Sequence, residues 1–151
     1  RSFTDWVEAL TTIPDVPPGT SVEDLFVTGM RDAGEQLAKF PDFLRLGLML
    51  ILEQRPEEPA ARRRFHQARV ETLARVDGIY QLLFAGLSPN QTLRLARFTL
   101  AGSDGLFIAA NEGEVDLVQE FELLSHGILG AALSMGWSPQ DLPAEATGRP
   151  R

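Results

Sequence analysis

Between residues 89 and 111 the chain carries apolar or small residues on every side of one predicted helix. Leu93, Ala96, Leu100, Ser103 and Phe107 recur at intervals of three or four, the period of an α-helix. Leucine, phenylalanine, isoleucine and alanine fill the other sides. A helix that is apolar all round must be covered on all sides. A chain of 151 residues covers only about two sides of such a helix, so the pattern predicts a second copy of the chain on the third.

The same period predicts further helices over about 20–40, 41–54, 59–85 and 114–135, and the end of another over 3–10. Helix 41–54 is so apolar that we expect it to be central. Capping boxes are predicted at Thr20 with Glu23 and at Ser88 with Gln91. No useful stretch alternates as a strand does, so we predict an all-α, antiparallel domain of about five to six helices. The residues after 136 are rich in proline and polar residues, and 137–151 is predicted to be a loose tail.

Composition and motifs argue against several functions. The formal net charge of −7 argues against a nucleic-acid surface, and the absence of cysteine excludes disulfides and thiolate metal sites. No apolar run reaches ~18 residues, so we expect no membrane-spanning helix. His66 and His126 do not follow a glutamate at the spacing of di-iron bundles, and no phosphate loop or nucleophile elbow is present. We therefore expect no enzyme, no metal site and no cofactor.

Asp104 is the one charge between residues 98 and 110. A lone buried carboxylate is costly unless it is paired or hydrogen-bonded. Three environments are open: hydrogen bonds from a neighbouring helix, an ion pair with an arginine, or a ligand cavity. Arg45 and Arg69 are the candidate partners, because each lies among apolar residues on another predicted helix.

Aromatic residues and methionines occur on four different predicted helices. Such a set usually forms a plain core, but it can also line the mostly apolar cavity of a small-molecule site. Small residues on the last predicted helix, among them Gly127 and Gly130, would let another helix come close.

Several motifs follow one another in a characteristic order. Residues 41–46 lead into an apolar helix, a long arginine-rich helix starts at Pro59, residues 88–91 read Ser-Pro-Asn-Gln, and residues 103–108 read Ser-Asp-Gly-Leu-Phe-Ile before a final amphipathic helix. This order resembles the C-terminal domain of TetR-type bacterial transcription regulators. The resemblance covers about residues 21–136, and Asp104-Gly105-Leu106 is its most specific piece.

The resemblance implies an effector-binding and dimerisation domain over residues 20–136. Residues 1–14 would be the end of a helix that links it to an N-terminal helix-turn-helix domain missing from the sequence. The last two helices would form a four-helix bundle with those of a second subunit, making a homodimer. A small, largely apolar effector would bind inside each subunit in the cytoplasm, without a membrane, and operator DNA would be bound only through the missing domain.

These expectations translate into two sets of residues. The predicted ligand-binding residues are Phe26, Met30, Phe43, Met49, Phe65, Arg69, Thr72, Val76, Phe98, Asp104 and Phe107. The predicted dimer-interface residues are Leu95, Phe121, Leu124, Ile128, Ala131 and Ala132. The alternative is a helical dimerisation module with a filled core and no ligand, and a third hypothesis is an unrelated small enzyme that uses one of the histidines.

Overall fold

The computed structural model describes residues 19–39, 60–113 and 115–139, and in addition residues 17, 45, 46, 48, 49 and 52. Within these residues four helices are defined: α1 (Val22–Lys39), α2 (Ala60–Leu83), α3 (Pro89–Glu112) and α4 (Leu117–Ser134). The described part of the chain contains no strand, which confirms the predicted all-α class. The helix end predicted over 3–10 and most of the helix predicted over 41–54 lie outside the described residues.

The helices pack in a continuous series. Helix α4 packs against both α1 and α3, and α3 also packs against α2. The connections over 84–88 and 113–116 are short, and helices in contact across a short connection run antiparallel. The core lies between the four helices, and its most completely buried large side chains include Phe84, Leu95, Ile128 and Val22.

The ends of α3 and α4 follow from local side-chain chemistry. Ser88 Oγ accepts a hydrogen bond from the Gln91 backbone N–H at 3.4 Å, and Gln91 Oε1 accepts one from the Ser88 N–H at 2.8 Å. The predicted capping box at Ser88 is therefore confirmed. Asp116 caps α4 in a similar way, because its Oδ1 accepts from the backbone N–H groups of Val118 and Gln119.

The predicted cap of α1 at Thr20 is wrong by one residue. Helix α1 begins at Val22, and Ser21 Oγ accepts the hydrogen bond from the Asp24 backbone N–H at 3.1 Å. The Thr20 hydroxyl instead donates to the Pro17 carbonyl oxygen at 2.8 Å. It is held by the turn before the helix, so it is not available to the first turn of α1.

The predicted loose tail is wrong at its first residue, because Trp137 is buried in the core. Gly136 adopts a φ of 99°, and the Trp137 backbone N–H donates to the Ala132 carbonyl oxygen at 3.0 Å. The Gly136 N–H donates to Leu133 O, which completes a Schellman motif. This motif folds the indole back against Phe84, with the ring centroids 5.1 Å apart. Residues 140–151 lie outside the described part.

The central position predicted for helix 41–54 is wrong for three of its described residues. Leu46, Met49 and Leu52 have helical backbone but are more than half exposed. They are spaced three apart and so lie on one side of a helix. Leu48, by contrast, is partly buried against the core.

Helices α1 and α4 lie close together at Gly34. A Cβ atom at this position would lie 2.8 Å from the Leu117 carbonyl oxygen and 3.2 Å from Phe121 Cβ. Real Cβ atoms do not come this close to backbone, so a larger residue would push the two helices apart. Glycine at this position therefore sets the spacing between α1 and α4.

We expect Gly34→Ala to lower the free energy of unfolding by about 1–3 kcal/mol, because overpacking displaces α1 from α4. Gly29→Ala is the matched control on the same helix, since no atom lies within 4 Å of its Cβ position. That substitution should raise stability by about 0.5–1 kcal/mol through helix propensity. Urea unfolding measures both, and equal effects of the two substitutions would show that the close approach at Gly34 is absent.

Candidate functional site

Asp104 is paired with Arg69 across the contact between α2 and α3. Arg69 Nη1 donates to Asp104 Oδ1 at 2.7 Å, and Nη2 donates to Oδ2 at 2.6 Å. The two side chains are 26% and 20% exposed, so the pair is largely shielded from water. Two parallel charge-assisted hydrogen bonds fix both distance and orientation. Of the two candidate partners, Arg69 is therefore the one that binds Asp104, whereas Arg45 is exposed.

Helical spacing places apolar groups around this pair. Phe65 lies one turn before Arg69, and Phe107 lies one turn after Asp104, so each ring is on the same side of its helix as the charged group. Both phenylalanines are buried. Thr72 is also buried, and its hydroxyl donates to the Ala68 carbonyl oxygen at 2.8 Å. The result is a charged pair that borders an apolar core.

A second polar contact joins α2 and α3 deeper in the core. The Tyr80 hydroxyl lies 2.7 Å from Thr99 Oγ1, and Thr99 Oγ1 donates its own proton to the Leu95 carbonyl oxygen. Tyr80 is therefore the donor in the contact with Thr99. Burial raises the pKa of the Tyr80 phenol well above its ordinary value, so the group is a neutral donor at neutral pH.

Asp77 on α2 is a polar group that the sequence analysis did not single out. Its Oδ2 accepts from Gln81 Nε2 at 2.9 Å, whereas its Oδ1 is buried and has no hydrogen-bond partner in the described part of the chain. It follows Arg69 by eight residues and precedes Tyr80 by three. This spacing places Asp77 on the same side of α2 as Tyr80, and it could have indicated from the sequence alone that Asp77 faces inward. A buried acceptor without a donor is a place where an N–H or O–H group of a ligand would be stabilised.

Phe26, a predicted ligand-binding residue, lies in a filled aromatic cluster. Its ring centroid is 5.6 Å from that of Tyr80 and 5.4 Å from that of Phe84, with edge-to-face geometry in both cases. Phe84 also contacts Tyr80 and Trp137 edge to face. Met30 is buried in the same core. At this end of the domain the aromatic side chains pack on one another.

The structure thus brings only part of the predicted ligand set together. Arg69 and Asp104 are in contact, Phe65, Thr72 and Phe107 are buried on the sides of α2 and α3 where those two groups lie, and Val76 packs against the core. Phe98 and Met49 are about half exposed, so they are not lining residues of an internal site in one chain. Phe43 lies outside the described residues.

Apolar and small residues are exposed along one side of each of the last two helices. Phe98, Ile108, Leu123 and Leu133 are 43–65% exposed. A Cβ atom at Gly105, Gly127 or Gly130 would meet nothing within 4 Å. We call this surface the α3/α4 face; its members are Phe98, Ala101, Gly105, Ile108 and Ala109 of α3, and Leu123, Gly127, Gly130 and Leu133 of α4.

Most of the predicted dimer-interface residues face the core of their own chain and not the α3/α4 face. Leu95, Phe121, Ile128 and Ala132 are almost completely buried within one chain, so they offer no surface to a partner. Leu124 and Ala131 are partly buried against the same core, and Leu124 fills the space beside Gly102. The predicted interface is therefore wrong for the four buried residues, and for Leu124 and Ala131 it stays a prediction. The more regular apolar stripe of α4 packs on α1 and α3, and the α3/α4 face lies on the opposite side.

The described residues contain no group of three or more acidic or histidine side chains arranged to hold a metal ion. His66 and His126 are both exposed, and Glu122 pairs with Arg31 at 2.7 Å. Within the described ranges, no helix combines the length and the apolar character needed to cross a bilayer.

No protein-family model matches this chain, and neither a curated protein nor a solved structure is significantly similar to it. The candidate functional features of the described residues are the Arg69–Asp104 pair and the α3/α4 face.

We expect Asp104→Asn to lower the free energy of unfolding by about 2–3 kcal/mol, because Arg69 would keep its charge without a partner. Glu122→Gln removes the carboxylate from the Arg31–Glu122 pair, whose side chains are 51% and 37% exposed. This matched control should cost less than about 1 kcal/mol, since exposed pairs contribute little. Urea unfolding of both variants makes the comparison, and equal losses would place Asp104 in solvent.

Proposed function

We propose that this chain is the ligand-binding and dimerisation domain of a TetR-like bacterial transcription regulator. It senses a small, largely apolar molecule in the cytoplasm and controls DNA binding by a separate helix-turn-helix domain. The observation that supports this proposal best is the α3/α4 face. The sequence resemblance assigns dimerisation to the same two helices.

The α3/α4 face has the composition of a helix-packing surface. Four large apolar side chains are exposed on two adjacent helices, with glycines and alanines between them. Soluble monomers rarely expose extended apolar patches, and such patches mark binding surfaces. A homodimer would cover the face by packing α3 and α4 of one chain on those of the other, and a permanent dimer buries roughly 2,000 Å² or more in total.

The Arg69–Asp104 pair is the proposed ligand site. Small-molecule sites are mostly apolar and orient the ligand through a few polar groups. A ligand with a cationic group would compete with Arg69 for the Asp104 carboxylate. Asp77 lies on α2, as Arg69 does, and its unpartnered Oδ1 would accept a further hydrogen bond from the ligand. The hydrocarbon part of the ligand would lie against the apolar residues around the pair.

The packing of one aromatic cluster favours the alternative function, a dimerisation module without a ligand. Phe26, Tyr80, Phe84 and Trp137 fill their part of the core by edge-to-face contacts. A domain filled in this way throughout would have no room for an effector. The two functions share the dimer and differ only in ligand binding.

We expect Leu123→Glu to convert the dimer into a folded monomer, because Leu123 is 65% exposed in one chain and would bury a charge in the dimer. The matched control is Leu82→Glu on α2, where the leucine is 55% exposed and lies outside the α3/α4 face. Sedimentation equilibrium at micromolar concentration measures the mass, and circular dichroism checks that both variants keep their helices. A monomeric parent chain, or a Leu123→Glu variant that stays dimeric, would refute dimerisation through this face.

We expect a hydrophobic amine to raise the melting temperature of the parent chain more than the carboxylic acid with the same hydrocarbon part. Asp104→Asn should remove most of the increase, because stabilisation by a ligand follows its affinity. Glu122→Gln should retain it. A panel of such amine and acid pairs, screened by thermal melting, tests this; no stabilisation by any pair would favour the module without a ligand.

A further inference from the structure

Most of the exposed side of α3 is symmetric about the level of Ser103. Three exposed residues, Pro89, Asn90 and Asn111, have no exposed counterpart in α3. The other eight exposed positions are 94, 97, 98, 101, 105, 108, 109 and 112. Each of them has a counterpart at the same distance on the other side of residue 103. When two copies of a helix pack antiparallel about a two-fold axis through one residue, each position meets its counterpart in the partner.

The chemistry of three of the four pairs of counterparts is complementary, whereas the fourth places Arg97 opposite Ala109. Phe98 corresponds to Ile108, which pairs a large apolar side chain with another large one. Ala101 corresponds to Gly105, which places the smallest side chains next to the axis, where the two helices would come closest. No atom lies within 4 Å of the Cβ position of Gly105, so a partner helix can approach Gly105 without displacing any group of the chain that carries it.

The charges at the two ends of α3 are also complementary. Arg94 corresponds to Glu112. Within one helix these residues are roughly 27 Å apart at 1.5 Å per residue, so they cannot pair in one chain. Neither of them takes part in an ion pair in the described part of the chain. A parallel arrangement of the two copies would instead place Arg94 opposite the partner's Arg94, and like charges in register are repulsive.

We propose that two copies of this chain meet through an antiparallel contact between their α3 helices, centred on Ser103. Arg94 of each copy pairs with Glu112 of the partner subunit, and Phe98 packs on the partner's Ile108. This inference rests on the proposed dimer. It adds the direction, the register and the charge pairs of the contact.

The first test is a charge swap. Arg94→Glu and Glu112→Arg should each raise the dimer dissociation constant roughly tenfold at low salt, since like charges then face each other at both ends. The double variant should return to within about twofold of the parent, because the pairs are restored with their signs exchanged. Arg75→Glu on α2 makes the same charge change on an exposed arginine outside the α3/α4 face and should have no effect.

The second test uses disulfides, since the chain has no cysteine of its own. An equimolar mixture of Phe98→Cys and Ile108→Cys chains should oxidise to the mixed covalent dimer. Neither variant should cross-link to itself. In the antiparallel register two copies of position 108 are roughly 15 Å apart along the axis, beyond the ~7 Å between Cα atoms that a disulfide spans.

The outcomes separate this inference from the proposed function. A parent chain that is monomeric refutes the dimer and the register together. A dimer whose charge variants are not rescued in combination, or whose Ile108→Cys variant cross-links to itself, keeps the dimer and overturns the antiparallel register.

Discussion

Helix α3 has apolar residues on three sides, and the described part of the chain covers two of them. Helix α2 covers the side that carries Asp104, and α4 covers the side that carries Gly102. The third side leaves Phe98 and Ile108 exposed. Water next to these side chains is unfavourable, and a partner that packed on this side would remove it. Our proposal of a dimer, and of the register of its α3 helices, follows from this constraint.

Asp104 lies on the side of α3 that packs against α2. A carboxylate in an apolar helix is tolerated because Arg69 binds both of its oxygens, and this bidentate pair also fixes α3 against α2. The two parts of the proposed function therefore meet in one helix. A ligand that displaced Arg69 from Asp104 would loosen α3 on the side of α2, while the opposite side of α3 forms the proposed dimer contact. Ligand binding and the geometry of the dimer would be coupled through a helix of 24 residues.

Local chemistry made part of this structure predictable. The capping box at Ser88 defined the start of α3, and the isolated charge in its apolar run led to Arg69 as one of two candidate partners. Contacts between residues far apart in the sequence could not be predicted from local chemistry. The sequence shows that α4 has small residues, but periodicity does not tell which of two apolar stripes faces its own chain. Trp137 was missed because a Schellman motif turns a polar-looking segment back into the core.

Hydroxyl-radical footprinting of the parent chain over a range of concentrations tests most directly whether a second copy covers the α3/α4 face. Phe98 and Leu123 belong to this face, whereas Leu82 is an exposed apolar residue of α2. Oxidation of Phe98 and Leu123 should fall as the concentration rises through the dimer dissociation constant, and oxidation of Leu82 should stay constant. Equal oxidation of all three side chains at every concentration would contradict the account, because the α3/α4 face would then remain in water.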